Sequence, residues 1–243
     1  MSLLADIPAP DAVLSRNPNL DALKLAQEIA RTGRVQIRDI LTEASAQRLF
    51  SALERETPWS LIFNEAAQIR VLENVSPERH QELAMAAWER AHSGFQFFYH
   101  HYRLTLNGKV FPKPGTCLAQ LVAVLNTPDF RDFLCRVTGV KAITRVTSTA
   151  TLYKPLDFLT IHNDNNRPDN RILAYSLNMT PQWRPDWGGA LQFFDRDDHI
   201  EEAYLPTFNT LNLFLVPKLH SVAQVSVFGG MRYTVSGWFH LDE

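Results

Sequence analysis

The sequence is poor in cysteine. Two in 243 residues, Cys117 and Cys135, exclude a disulfide framework and a cysteine-rich zinc site. Both read as small buried apolar residues. No run approaches about 18 consecutive apolar residues, which excludes a transmembrane helix. Residues 1–10 lack both a basic segment and an apolar one, so no signal peptide is expected. Charge excess is lacking too: the formal net charge is -2, which argues against nucleic-acid binding by phosphate neutralisation. Together these absences point to a cytoplasmic protein with neither a membrane nor a nucleic acid as partner. If it binds a metal, histidine and carboxylate must supply the ligands, and eight histidines are present.

The hydrophobic fraction is 45%, enough for a sizeable core. The first part of the chain reads as helical. Apolar periodicity predicts a helix over 21–31 that ends at Gly33, and a short strand over 35–40. Thr42 caps a helix that runs to about Glu56 and stops before Pro58. Residues 59–72 read as extended. Ser76-Pro77-Glu78 starts a helix expected to continue past Gly94 into the aromatic run Phe95, Phe97, Phe98, Tyr99. Two more helices are expected near 115–125 and 127–138.

The character changes after Gly139. Eight short strands are predicted at about 145–154, 157–164, 170–178, 189–195, 200–205, 209–216, 219–227 and 231–241. Turn residues separate them, among them Gly188-Gly189 and Gly229-Gly230. Regular short strands suggest a sandwich or barrel. With no linker or repeat, residues 1–243 are read as a single α+β domain. Residues 1–140 form its mainly helical part and 141–243 its β core.

Within that core, alternation puts His162 and Asp164 on one face of a strand, together with Phe158 and Thr160. An imidazole and a carboxylate so placed can grip one cation. His220 is the best third ligand, with 55 residues between it and Asp164. Two histidines and one carboxylate with open positions suit non-haem Fe(II) oxygenases. Twelve residues after His220 comes Arg232, on a strand face shared with Thr234 and Ser236. An arginine on a mostly apolar strand needs an anion. The bland reading of Arg232 is a structural ion pair with Asp186 or Glu201.

The ordered set His162-Asn163-Asp164, His220 and Arg232 resembles the Fe(II)- and 2-oxoglutarate-dependent dioxygenases. The prolyl-hydroxylase branch is the nearer match. It rests on Ala150-Thr151-Leu152-Tyr153, Leu177-Asn178, Asn209-Thr210-Leu211 and the run from Trp187 to Phe194. The segment from Arg232 to His240 is similar to the catalytic domain of ribosomal-protein prolyl 3-hydroxylases. The resemblance covers about 145–241. It implies a double-stranded β-helix, or jelly roll, of about eight strands with an N-terminal helical layer packed on it.

By the same resemblance, His162, Asp164 and His220 are the catalytic metal ligands. Arg232 pairs with the distal carboxylate of 2-oxoglutarate, and Tyr153 and Thr234 line that pocket. A second tyrosine of the family falls at Tyr175 or Ser176. The implied cofactors are Fe(II), 2-oxoglutarate and O2, with release of succinate and CO2. Asp164 stands where related halogenases carry a small residue, which favours hydroxylation. The substrate implied is a prolyl residue in a protein or peptide. A free amino acid or small metabolite is the second reading, and a non-catalytic metal- or anion-binding jelly-roll sensor the third. A homodimer is the candidate assembly. His80 reads as a helix-surface residue, His100-His101 as a poor chelator, and the aromatic run 95–102 as core. Arg167 and Arg171 follow the strand of His162 and border the proposed metal; they read as solvent-exposed loop arginines, with the grip of a substrate carboxylate or backbone as the functional alternative.

Overall fold

The computed structural model describes residues 13–66, 68–106, 108–141, 143–165 and 170–241. Asp21 caps helix α1 (Ala22–Thr32) by accepting from the Leu23 and Lys24 amides. Gly33 ends it in the left-handed region, at φ 72°. Strand β1 (Arg34–Arg38) follows. Helix α2 (Glu43–Arg55) begins after Thr42, whose hydroxyl donates to Ser45 Oγ instead of capping the backbone. Strands β2 (Ser60–Glu65) and β3 (Gln68–Leu72) form a hairpin. Ser76 caps helix α3 (Pro77–Ala91).

The aromatic run does not prolong α3. It forms strand β4 (Phe97–Arg103). Its side chains alternate: Phe98 packs with Leu61, Phe63 and Leu83, while Phe97 and Tyr99 turn to the opposite face. A helix would have spread these rings around its circumference. A small hairpin, β5 (Thr105–Leu106) and β6 (Lys109–Val110), leads to helices α4 (Cys117–Leu125) and α5 (Pro128–Thr138).

The second half is β7 (Arg145–Tyr153), β8 (Phe158–His162), β9 (Arg171–Asn178), β10 (Leu191–Phe194), β11 (Ile200–Tyr204), β12 (Thr210–Leu215), β13 (His220–Val222) and β14 (Arg232–His240). Every expected strand of this half is present.

Twelve strands join in one sheet, in the order β1-β12-β9-β14-β7-β4-β8-β13-β10-β11, with β2 and β3 attached at β4. All pairings are antiparallel. The sheet curls into a nearly closed barrel, the double-stranded β-helix, but with more than eight strands. The surplus comes from the N-terminal part, which is therefore more than a helical layer. β1 pairs with β12, and β4 is inserted between β7 and β8.

Helices α1, α2, α4 and α5 cover one outer face, built on Val35, Leu173, Leu213, Val235 and Phe239. Helix α3 covers β2, β4 and β8. The terminal strands β1 and β11 meet through Arg34. Its Nη1 donates to Glu201 at 2.9 Å and its Nε to Glu202, while its guanidinium carbon lies 5.0 Å above the Phe193 ring. No helix among the described residues is long and apolar enough to cross a membrane.

Candidate active site

Strand β8 does not keep strict alternation. His220 opposes His162, but Val222 opposes Leu159, so one extra residue is accommodated between them. The bulge corrects the sequence reading. Phe158 packs outward under α3, whereas Leu159 and His162 both line the inner cavity. Thr160 is occupied elsewhere, exchanging hydrogen bonds with the backbone of Gln96. Asp164 lies beyond the strand. It reaches the same point through a left-handed turn, at φ 59°, supported by Asn163 Oδ1 accepting from the Asn165 amide.

The three side chains converge. Their ligand atoms all lie within 4.8 Å of one another. Asp164 sits between the imidazoles, with Oδ1 at 3.4 Å from His162 Nε2 and Oδ2 at 3.4 Å from His220 Nε2. His162 Nδ1 lies 3.0 Å from Thr160 O, and His220 Nδ1 2.8 Å from Lys218 O. A carbonyl only accepts, so each Nδ1 donates to it, and each ring is thereby turned with Nε2 toward the shared point. Burial works to raise the Asp164 carboxyl, but the two imidazoles outweigh it and hold it far below the usual carboxylate range. The result is a compact His/Asp/His donor set able to hold one divalent metal.

The donor set opens into a cavity of about 530 Å³. Register explains its walls. On β14, Arg232 stands opposite Tyr153 of β7, and Thr234 stands opposite both Thr151 of β7 and Asn178 of β9. Arg232 is 2% exposed. Among the described residues it meets no carboxylate: Asp186 pairs with Arg184, and Glu201 with Arg34 and Lys218. The ion-pair reading of Arg232 therefore fails. Its Nη2 donates to Asn178 Oδ1 at 3.4 Å, its Nε has no partner, and its guanidinium lies 5.0 Å from the Tyr153 ring. Burial lowers its pKa to about 10, so it stays charged at neutral pH. Burial pushes the Tyr153 hydroxyl up as well, which keeps it protonated.

The two candidate positions on β9 take opposite faces of the sheet, and both touch the cavity lining. Tyr175 belongs to the outer core, its hydroxyl paired with Ser148 Oγ at 2.6 Å. Ser176 shares the inner parity with Asn178 and lies opposite Ser236. Gly189 backs the arginine stem: a Cβ there would come 2.8 Å from the Trp183 ring and 3.4 Å from Arg232 Cδ.

Several N-terminal residues escaped sequence reasoning. Phe97 and Tyr99 of β4 line the cavity rather than the core, and Tyr99 stacks on Tyr153 at 4.7 Å. Phe95, 45% exposed, stands at the rim with its ring 5.4 Å from that of His162. The signal was the alternation Phe95, Phe97, Tyr99. His80 is half-buried on its helix, and its ring stacks on His100 at 5.5 Å. His100 and His101 are buried but bring no third ligand into a cluster among the described residues. Arg171 lies over the Trp238 ring at 3.8 Å rather than loose in a loop. Arg167 lies outside the described residues.

Residues 148–240 match the sequence family described as the 2OG-Fe(II) oxygenase superfamily. Over 119 residues the chain is 30% identical to prolyl 3-hydroxylase OGFOD1 of Mus musculus, covering 46% of this chain and 22% of that protein. The Xenopus laevis protein of the same name is 33% identical, covering 46% and 23%. The chain thus spans less than a quarter of the length of these curated relatives. Among solved structures, a Pseudomonas putida prolyl-4-hydroxylase aligns over 92% of this chain and all of that one, with TM-score 0.57 and 17% identity. A Trichoplax adhaerens prolyl hydroxylase, solved with a hypoxia inducible factor peptide, aligns over 90% and 88%, with TM-score 0.60 and 14% identity. At such identities these two speak for the fold. Residues 148–240 thus match the 2OG-Fe(II) oxygenase superfamily, and the curated relatives to which this part of the chain is similar are named prolyl 3-hydroxylases.

Proposed function

We propose that the chain is an Fe(II)- and 2-oxoglutarate-dependent dioxygenase that hydroxylates a prolyl residue in a protein or peptide, releasing succinate and CO2. One observation carries the reading. A buried arginine with no acidic partner among the described residues shares a single cavity with a His/Asp/His donor set. The first fits a dicarboxylate and the second fits iron.

His162, Asp164 and His220 would hold the iron, which when bound supplies the activation of O2 against an unreactive C–H bond. The chain's own residues supply position. Arg232 binds the distal carboxylate of 2-oxoglutarate, and the Tyr153 ring and Thr234 hydroxyl shape its pocket. Each backbone carbonyl at an Nδ1 fixes its imidazole with Nε2 toward the metal point. Phe97, Tyr99 and Trp238 wall the cavity and exclude water. Phe95 and Ile69 give it an apolar rim that suits a pyrrolidine ring. The prolyl class itself comes from the relatives named above.

The test is turnover. Protein prepared without oxygen is given Fe(II), 2-oxoglutarate and a cellular protein digest, then exposed to O2. The reading expects succinate together with one added oxygen atom on prolyl peptides, both abolished in Asp164→Ala. Oxygen added to free metabolites alone would overturn the protein-hydroxylase reading. Absence of succinate would overturn the dioxygenase reading.

A further inference from the structure

Arg232 is buried and charged, and among the described residues its one hydrogen-bond partner is Asn178. This residue is 0% exposed and sits in the middle of the sheet, opposite Thr234 of β14 on one side and Thr210 of β12 on the other. Its Nδ2 donates to the carbonyl oxygens of Ser176 at 3.3 Å and Thr210 at 3.4 Å. Both partners only accept, so the amide nitrogen must face them. The orientation of the side chain is thereby fixed. Oδ1 faces the cavity wall, where it accepts from Arg232 Nη2 at 3.4 Å and from Thr234 Oγ1 at 3.5 Å.

We infer that Asn178 is a positioning residue for 2-oxoglutarate: a neutral oxygen holds the Arg232 guanidinium in place without cancelling its charge. The inference rests on the dioxygenase reading above. An aspartate has nearly the same shape and would hold the arginine more strongly. It would also form a buried ion pair, and the guanidinium would then have to be taken from one carboxylate to serve another. A leucine would fill the space but offer no acceptor. The amide combines both requirements. It aims the arginine, and its weak, long contact leaves the remaining N–H groups for the ligand. Thr234 reinforces the arrangement by donating to the same oxygen, so that the oxygen remains directed at one wall of the pocket.

The experiment measures 2-oxoglutarate affinity by calorimetry on Fe(II)-loaded protein without oxygen, beside melting temperature and steady-state kinetics. In Asn178→Asp the new carboxylate meets a buried cation but loses both donors to the Ser176 and Thr210 carbonyls, so its melting temperature should fall, and binding is compared below that temperature. The variant should bind 2-oxoglutarate about tenfold or more weakly. At saturating 2-oxoglutarate its kcat should approach that of the natural protein, so the loss falls on KM. Affinity within twofold of the natural protein would overturn the inference.

A second pair does not depend on the aspartate variant folding. Asn178→Thr keeps a neutral acceptor and Asn178→Leu does not. Threonine should bind several-fold more tightly than leucine, and equal affinity would overturn the inference. Arg232→Gln separates the two levels. If it binds 2-oxoglutarate normally, the cosubstrate reading of the pocket fails. If it loses binding while the Asn178 variants keep theirs, only the role of Asn178 fails.

Discussion

The Tyr99 ring stacks on the Tyr153 ring, with centroids 4.7 Å apart and planes 22° from parallel. Tyr153 in turn faces Arg232, so the contact links a strand of the N-terminal half to the proposed 2-oxoglutarate pocket. Stacked pairs contribute about 1 kcal/mol beyond burial. Tyr99→Ala should therefore raise the KM for 2-oxoglutarate about fivefold with a smaller change in kcat. Steady-state kinetics check this, and an unchanged KM would mean the stack has no part in the pocket.

Arg34 joins the two terminal strands of the sheet, and its side chain is only 3% exposed. Glu201 and Glu202 are 42% and 40% exposed, so removing the arginine strands no buried charge. The loss is the pair of charge-assisted hydrogen bonds and the packing on Phe193. Arg34→Ala should destabilise the fold by about 2 kcal/mol, read from the urea midpoint. Glu201→Gln alone should cost less, because Glu202 keeps its hydrogen bond.

His101 is held neutral. Burial first, then the charges of Arg103 and His100, lower its pKa from 6.5 to about 4. Between those values the unfolded chain takes up a proton that the folded protein refuses. The stability involved is complete above about pH 6.5 and is lost as pH falls toward 4. His80, lowered by burial and by the same neighbour His100, adds to the slope. His101→Gln should flatten the fall in stability between about pH 7 and about pH 5, measured by denaturant titration at each pH. An unchanged slope would place the proton uptake elsewhere.

Gly237 of β14 stands opposite Ser148 of β7. A Cβ added there would meet the Thr147 carbonyl oxygen at 1.8 Å. Backbone cannot yield as a side-chain end can, so the strands would have to separate. Gly237→Ala should cost at least about 2 kcal/mol and lower the melting temperature by several degrees. Gly94 has nothing within 4 Å of its added Cβ, so Gly94→Ala is the control and should leave stability nearly unchanged.

The residues with chemistry were the most legible in the sequence. His162, Asp164, His220 and Arg232 stand out because charged and imidazole groups on apolar strands need partners. The eight C-terminal strands were legible from turn residues and β-branched runs. β4 was not, because a dense aromatic run after a well-capped helix satisfies a helical and an extended pattern equally. Its neighbours β7 and β8 decide the matter, and they lie about 50 to 60 residues further along the chain. The bulge in β8 was hidden for a related reason. Parity counting assumes an unbroken ladder, and the extra residue shows only in the pairing with β13. Asn178 could be seen in Leu177-Asn178, but its part depends on Arg232 arriving beside it from a different strand.

The most direct test is a crystal structure of the protein grown without oxygen in the presence of Fe(II) and 2-oxoglutarate, with diffraction recorded across the iron absorption edge. The anomalous signal should give one iron bound by His162 Nε2, His220 Nε2 and a carboxylate oxygen of Asp164. The distal carboxylate of 2-oxoglutarate should lie on Arg232. Iron bound elsewhere, or 2-oxoglutarate bound with Arg232 left unpaired, would contradict the account.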